Sequence, residues 1–394
     1  MKYKYWLLLL AVPLVFSLIS CGPKAAEEDS IKIGCILSLS GLLGPKGIDR
    51  LNAARMAVEE INQSGGILGM PVELLAKDDE TSPQKSRKEL QKLIKSDHIQ
   101  VLLGGMSSDA AMISGPLLAE KTVVMVSSSA TAPEITEQPW SDWFFRTTTN
   151  DAFQGRILAK VIMENGYTRL ATVVQANAYG RGLEQALMDE LRKSGWEGKQ
   201  VVAVYFNPED KNFRSHLINI EDSDPDVVLA VSYVEDGIIL FKQAFRLGMD
   251  NIAWLTCDGN YSESLLQDPD CAEFMAKAVV AGTRSASSWG PAYERFAESY
   301  TSFTGRDPGV YSDTSYDAIH LIAAAIEKAG TYDGRSIKTA MLEVGQKYEG
   351  ASGLITFNDR GDRISGLYEL WKVAEDPDSP AGYRIIRIKL ISIG

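Results

Sequence analysis

Histidine and cysteine are scarce, with three of the first and four of the second in 394 residues. His98, His216 and His320 stand far apart in separate predicted elements, with neither a Cys-x-x-Cys nor a His-Glu-x-x-His motif beside them. Metal ligands have to converge at short sequence spacings or from neighbouring elements, so no metal centre is expected. Also missing are the Gly-x-Ser-x-Gly turn that presents a nucleophile and the Gly-x-x-x-x-Gly-Lys-Ser/Thr loop that cradles phosphate. No catalytic residue and no cofactor are therefore assigned, and an enzyme is not expected. No Lys/Arg cluster interrupts a formal net charge of −12, which argues against nucleic acid as a partner. Beyond residue 30 no apolar run is long enough to cross a bilayer.

The one long apolar run lies at the amino terminus. Lys2 and Lys4 precede residues 6–19, and the run ends in Leu18-Ile19-Ser20-Cys21. It is shorter than the ~20 residues of a spanning helix and carries the charged start and small-residue cleavage site of a signal peptide. Residues 1–20 read as a lipoprotein signal peptide and Cys21 as the lipidated residue. Residues 21–30, mostly small and acidic, read as a tether. Acyl chains on Cys21, at ~0.8 kcal/mol per buried CH2, would hold the protein to a bacterial membrane on its extracytoplasmic side, in the periplasm or at the cell surface. Cys35, Cys257 and Cys271 remain; export permits a Cys257–Cys271 bridge, but spacing alone does not establish one.

From Ile31 short apolar runs alternate with amphipathic stretches. Residues 31–39 are followed by Leu51, Ala54, Val58 and Ile61 at helical spacing, then by a second run at 71–76. Gly65-Gly66 closes that helix and Ser82-Pro83 opens another. The rhythm restarts after Arg146 with runs at 170–174, 201–205, 227–231 and 252–256. Strands separated by helices build parallel sheets covered on both faces, and the length exceeds one compact core. The expected fold is α/β, with two doubly wound parallel-sheet lobes.

Ligands of such sheets sit beyond the carboxyl ends of the strands. Those positions are polar here: Ser107 and Ser108, Ser129 to Thr131, Tyr179, Tyr233 and Asp258. Hydroxyls beside backbone N–H groups at helix starts can hold a carboxylate, so Ser108, Ser129 and Thr131 make one candidate wall. Asp258 offers an acceptor for an ammonium group, with Tyr179 and Tyr233 beside it. Carboxylate on one wall and ammonium on the other describe an α-amino acid, and a ligand that bonds both lobes would draw them together. Each residue also has a plainer account, as an N-cap, a turn or a cover over the sheet end.

The stretches IKIGCILSLSG (31–41), AARMAVEEIN (53–62), GGILG (65–69), SATAPE (129–134) and YGRG (179–182) together resemble the leucine/isoleucine/valine-binding protein family. These are the type I periplasmic solute-binding proteins of branched-chain and related amino-acid ABC transporters, and the resemblance runs from Ile31 to the end. It implies three hinge crossings between lobes, with residues 31–148 plus 284–354 in the first and 149–283 plus 355–394 in the second. It implies that Ser108, Ser129, Ala130 and Thr131 hold a ligand carboxylate, and that Tyr179, Tyr233 and Asp258 receive its ammonium. It implies a monomer that passes a small ligand to an ABC transporter permease. Lys46 departs from the family, standing where relatives with aliphatic ligands often carry an aromatic residue, which argues against leucine-like specificity; it reads as contacting an acidic side chain or, the reading favoured, as reaching solvent. Tyr311 and Tyr316 are open between lining the pocket and packing in the core. Two alternatives keep the fold: a ligand-sensing subunit for a membrane receptor, or a binder of an amide or carboxylic acid lacking an ammonium group.

Overall fold

The structure, a computed structural model, describes residues 30–393 except 209 and 287–289. The expected signal peptide, the lipidation site Cys21 and all but the last residue of the tether lie outside the described residues.

The first lobe opens with β1 (Ile31–Leu37), α1 (Gly44–Gln63), β2 (Val72–Asp78), α2 (Pro83–Lys92), β3 (Val101–Leu103), α3 (Ser108–Lys121), β4 (Val124–Ser127) and β5 (Phe144–Thr149). The chain then enters the second lobe through α4 (Asp151–Glu164), β6 (Arg169–Gln175), α5 (Ala178–Lys193), β7 (Lys199–Phe206), α6 (Arg214–Asp222), β8 (Val227–Val231), α7 (Val234–Arg246), β9 (Ala253–Thr256), α8 (Pro269–Ala278) and β10 (Val279–Ser285). It returns to the first lobe with α9 (Pro291–Thr304), α10 (Ser312–Ala329), α11 (Gly334–Val344), a hairpin of β11 (Tyr348–Gly350) and β12 (Gly353–Ile355), and β13 (Asp362–Arg363). Finally β14 (Gly366–Glu375) and β15 (Tyr383–Ile393) complete the second lobe.

The first sheet is all parallel in the order β13-β5-β4-β3-β1-β2, with Ile31 opposite Val72 and Leu37 opposite Asp78. The second has the order β15-β14-β10-β9-β8-β6-β7; β6 to β10 are parallel, and β14 and β15 are antiparallel additions at one edge. Strands buried on both faces must be apolar at consecutive positions, and they are. Leu103 packs with Leu51 of α1, Ile319 of α10 and Ile337 of α11 on one face. Its neighbour Leu102 packs with Leu90 of α2 and Leu117 of α3 on the other. In the second lobe Val173 faces the α6–α8 layer, with Leu217, Leu240 and Phe274, while Val174 joins Leu158 of α4 and Leu187 of α5.

The third crossing falls later than the expected position near Leu354. β13 pairs with β5, keeping the chain in the first sheet as far as Arg363, and Gly366 begins β14 in the second. Two buried arginines explain this. The Arg146 guanidinium binds Asp362 at 2.5 Å and donates to the carbonyls of Ala130 and Ala132 and to Thr136. Arg363 donates to the carbonyls of Thr147, Ser352, Leu354 and Ser365 and to the Ser352 hydroxyl. Satisfied on every side, these cations anchor β13 to β5 and fix the loop after β4.

Candidate functional site

The carboxyl ends of both sheets face each other across a cavity of about 30 Å³ that is lined from both lobes. That volume admits a water-sized group, not a metabolite, so the arrangement is closed and entry of a larger ligand requires the lobes to part.

From the first lobe come the starts of α3 and α1. Ser107 caps α3, its hydroxyl accepting the N–H of Ala110 at 3.2 Å. Ser108 follows, and its hydroxyl accepts the N–H of Ala132 at 3.2 Å, which leaves its own proton free to donate. Ser129 donates its hydroxyl to the carbonyl of Met106 at 2.8 Å. Ser108 and Ser129 thus line the cavity while bracing the loops after β3 and β4. Ala130 and Thr131 are buried and do not line it; the Thr131 carbonyl instead accepts the N–H of Asp151.

From the second lobe Tyr179, Tyr233, Asp258 and Gly259 form the opposite wall. Asn177 caps α5, so Tyr179 sits in the first turn of that helix rather than in a preceding loop. Its hydroxyl donates to Asp258 Oδ1 at 2.7 Å and accepts the N–H of Gly259 at 3.1 Å. The Tyr179 and Tyr233 rings stack with centroids 5.5 Å apart and planes within 5° of parallel. Asp258 is 6% exposed and accepts two further bonds, from Gln154 at 3.0 Å and from the Tyr311 hydroxyl at 2.9 Å. Burial, reinforced by the Asp258 charge, pushes the Tyr179 and Tyr311 phenols well above their ordinary range, so both stay protonated as donors.

Tyr311 reaches this wall from the first lobe in a left-handed backbone conformation, φ 66°, immediately before α10. A bulky residue rarely adopts that region. Tyr316 has no place at the cavity; it packs against Phe296 and His320 and donates to Glu60.

Lys46 does not reach into solvent as its sequence position suggested. Its ammonium crosses the cleft and donates to the carbonyl of Gly259 at 3.0 Å. One turn on, Arg50 is 3% exposed, lines the same cavity and lies 5.1 Å from the Tyr311 ring centroid. Burial lowers Lys46 to about 8 and Arg50 to about 10. A close approach brings both inward: any Cβ at Gly47 would overlap the Ser38 carbonyl at the end of β1, so only glycine lets α1 start there. Arg50 was not singled out from the sequence. The available signal was its i, i+4 spacing from Lys46, which puts the two cations on one helix face.

Cys35, Cys257 and Cys271 are free and buried. Cys257 lies under the site, where its sulfur meets the Tyr179 hydroxyl at 3.1 Å. Among the described residues no helix is long and apolar enough to cross a membrane.

A family model described as "Periplasmic binding protein" matches residues 30–376. The Leu/Ile/Val-binding protein BraC3 of Rhizobium johnstonii is 29% identical over 344 residues, covering 87% of this chain and 91% of its own. A leucine binding protein, LivK, from Thermotoga maritima superposes with a TM-score of 0.80 at 23% identity, covering 92% of this chain and 98% of that one. A solute binding protein of an ABC transporter from Rhodopseudomonas palustris, solved with 3,4-dihydroxybenzoic acid, superposes with a TM-score of 0.78 at 24% identity, covering 93% and 98%.

Proposed function

The chain belongs to the periplasmic binding protein family, in the type I form that includes the Leu/Ile/Val-binding proteins, and from that premise we propose that it captures an α-amino acid between its lobes. It is a solute-binding protein and not an enzyme. In the proposed cycle it works outside the cytoplasm, tethered through a lipid on Cys21, and passes its ligand to an ABC transporter permease. Ser108 and Ser129 take the carboxylate, joined by Thr131 and the backbone at Ala130 once the lobes open and re-close on a ligand. Tyr179, Tyr233 and Asp258 take the ammonium.

The observation that carries this reading is Asp258. Its oxygens accept hydrogen bonds only from the neutral groups of Gln154, Tyr179 and Tyr311, and no cation of the chain bonds it directly, so a buried acceptor stands ready for a charged donor brought by the ligand. An α-ammonium supplies that donor when the ligand is in place, and water solvates Asp258 when the lobes are apart. A second reading, a carboxylic acid without an ammonium group, is favoured by one feature: the Lys46 ammonium itself stands next to Asp258, on Gly259. Thermal unfolding of ligand-stripped protein against amino acids and simple carboxylic acids tests the choice, because binding raises the midpoint. A rise with amino acids alone supports the first reading; a rise with the acids alone replaces it with the second.

A further inference from the structure

Among the described residues three arginines are deeply buried, in different surroundings. Arg146 and Arg363 are each surrounded by carbonyls, hydroxyls or a carboxylate, as a structural guanidinium has to be. Arg50 is equally buried, yet among the described residues it has no carboxylate within ion-pair distance and no hydrogen bond, and its Nε is without a partner. Its guanidinium lies over the face of Tyr311. Among the described residues Lys46 likewise donates to a single carbonyl and pairs with no carboxylate. Both project into the cavity from the first two turns of α1, a helix whose first turn carries no acidic residue and whose amino-terminal dipole adds positive potential there.

The charged side chains lining the cavity are Lys46, Arg50 and Asp258, one positive charge in excess. The acids packed nearby stand outside the lining. Asp151 is raised well above the carboxylate range by burial and by Asp258, Asp109 holds the N–H of Ala178, and Asp49 is shared between Arg306, which it pairs at 2.6 Å, and Arg50. Glu235, one of whose carboxylate oxygens is buried without a partner, acts on Lys46 from outside the lining. A neutral zwitterion such as leucine would leave the excess uncompensated inside a closed site. A ligand with one further negative charge balances it, and a carboxylate is the group a guanidinium and an ammonium recognise best.

We propose that the ligand is an acidic amino acid, aspartate or glutamate, whose side-chain carboxylate is held by Lys46 and Arg50. This rests on the amino-acid reading of Asp258 and the serines, and assigns to Lys46 and Arg50 the choice among amino acids. On closure over such a ligand, Lys46 exchanges its bond to the Gly259 carbonyl for the ligand carboxylate.

Calorimetric titration of the ligand-stripped protein at pH 7 with L-glutamate, L-aspartate, L-glutamine, L-asparagine, L-leucine and 4-hydroxybenzoate tests it. One acidic amino acid should bind at least tenfold more tightly than its own amide and than leucine. Lys46→Met or Arg50→Met should shrink that ratio at least threefold while the amide is affected less. An amide or leucine that binds as tightly as the acids overturns the inference and leaves the amino-acid reading standing. Binding of 4-hydroxybenzoate with no amino acid bound removes both. The acid-to-amide comparison uses the unaltered protein, so misfolding of a variant cannot decide it; an undiminished ratio in both folded variants overturns the assignment to these residues.

Discussion

The Lys46 ammonium and the Gly259 carbonyl are 3.0 Å apart and belong to different lobes. The bond exists only while the cleft is shut, so the protonation of one side chain is linked to the position of the lobes. Burial lowers Lys46 from 10.5 to about 8 in the closed form. A lowered value means that the closed form binds this proton less tightly than an open form with an ordinary lysine, and closure releases it. Closure without ligand should therefore become more favourable as pH rises from about 8 towards 10.5, and be insensitive to this group below that window. Small-angle scattering of ligand-stripped protein checks this: the radius of gyration should fall across the window in wild type and not in Lys46→Met.

Asp362→Asn removes the charge that neutralises Arg146, a cation with no exposed surface. Breaking a buried pair on one side costs about 3–5 kcal/mol. Urea unfolding should show a loss in that range. Because Arg146 also holds the carbonyls of Ala130 and Ala132, ligand affinity should fall even where the variant is folded.

Gly47→Ala should destabilise, against the usual sign. Alanine in a helix interior is ordinarily favoured over glycine by about 1 kcal/mol. Here the added methyl meets the Ser38 carbonyl, so α1 must shift and carry Lys46 and Arg50 with it. A lower melting temperature together with weaker binding is the expected result; an unchanged or raised melting temperature would show that β1 and α1 are not so closely apposed.

The three described thiols should be silent towards a thiol reagent at pH 8 until the protein unfolds. Each is buried, and burial pushes each up to about 12. Mass spectrometry after alkylation of native and unfolded protein reads this directly, and a Cys257–Cys271 bridge would appear as two thiols missing from the unfolded sample.

The strand–helix alternation was legible because strands covered on both faces must be apolar at consecutive positions, as Leu102 and Leu103 are, whatever the tertiary detail. The residues at strand ends were legible for the same reason: a polar Ser108, Ser129 or Asp258 after an apolar run stands out. What was hidden depends on contacts distant in sequence. Arg50 on an amphipathic helix looks like a solvated cation until the second lobe closes over it. Lys46 looks the same until it meets a carbonyl 213 positions away. Tyr311 reaches Asp258 only through a backbone conformation that its residue type does not advertise. β13 is two residues long, too short to show any period, and its place in the first sheet comes from Asp362 and Arg363 finding their buried partners.

In the proposed binding mode Asp258 receives the α-ammonium of an amino acid. The most direct measurement is the calorimetric affinity of ligand-stripped wild type and Asp258→Asn for L-glutamate and for glutarate, which differs only in lacking the α-amino group. Glutamate should bind wild type at least tenfold more tightly than glutarate, about 1.4 kcal/mol or more, and Asp258→Asn should abolish most of that difference. Glutarate bound as tightly as glutamate, or a preference for glutamate undiminished in Asp258→Asn, would contradict it.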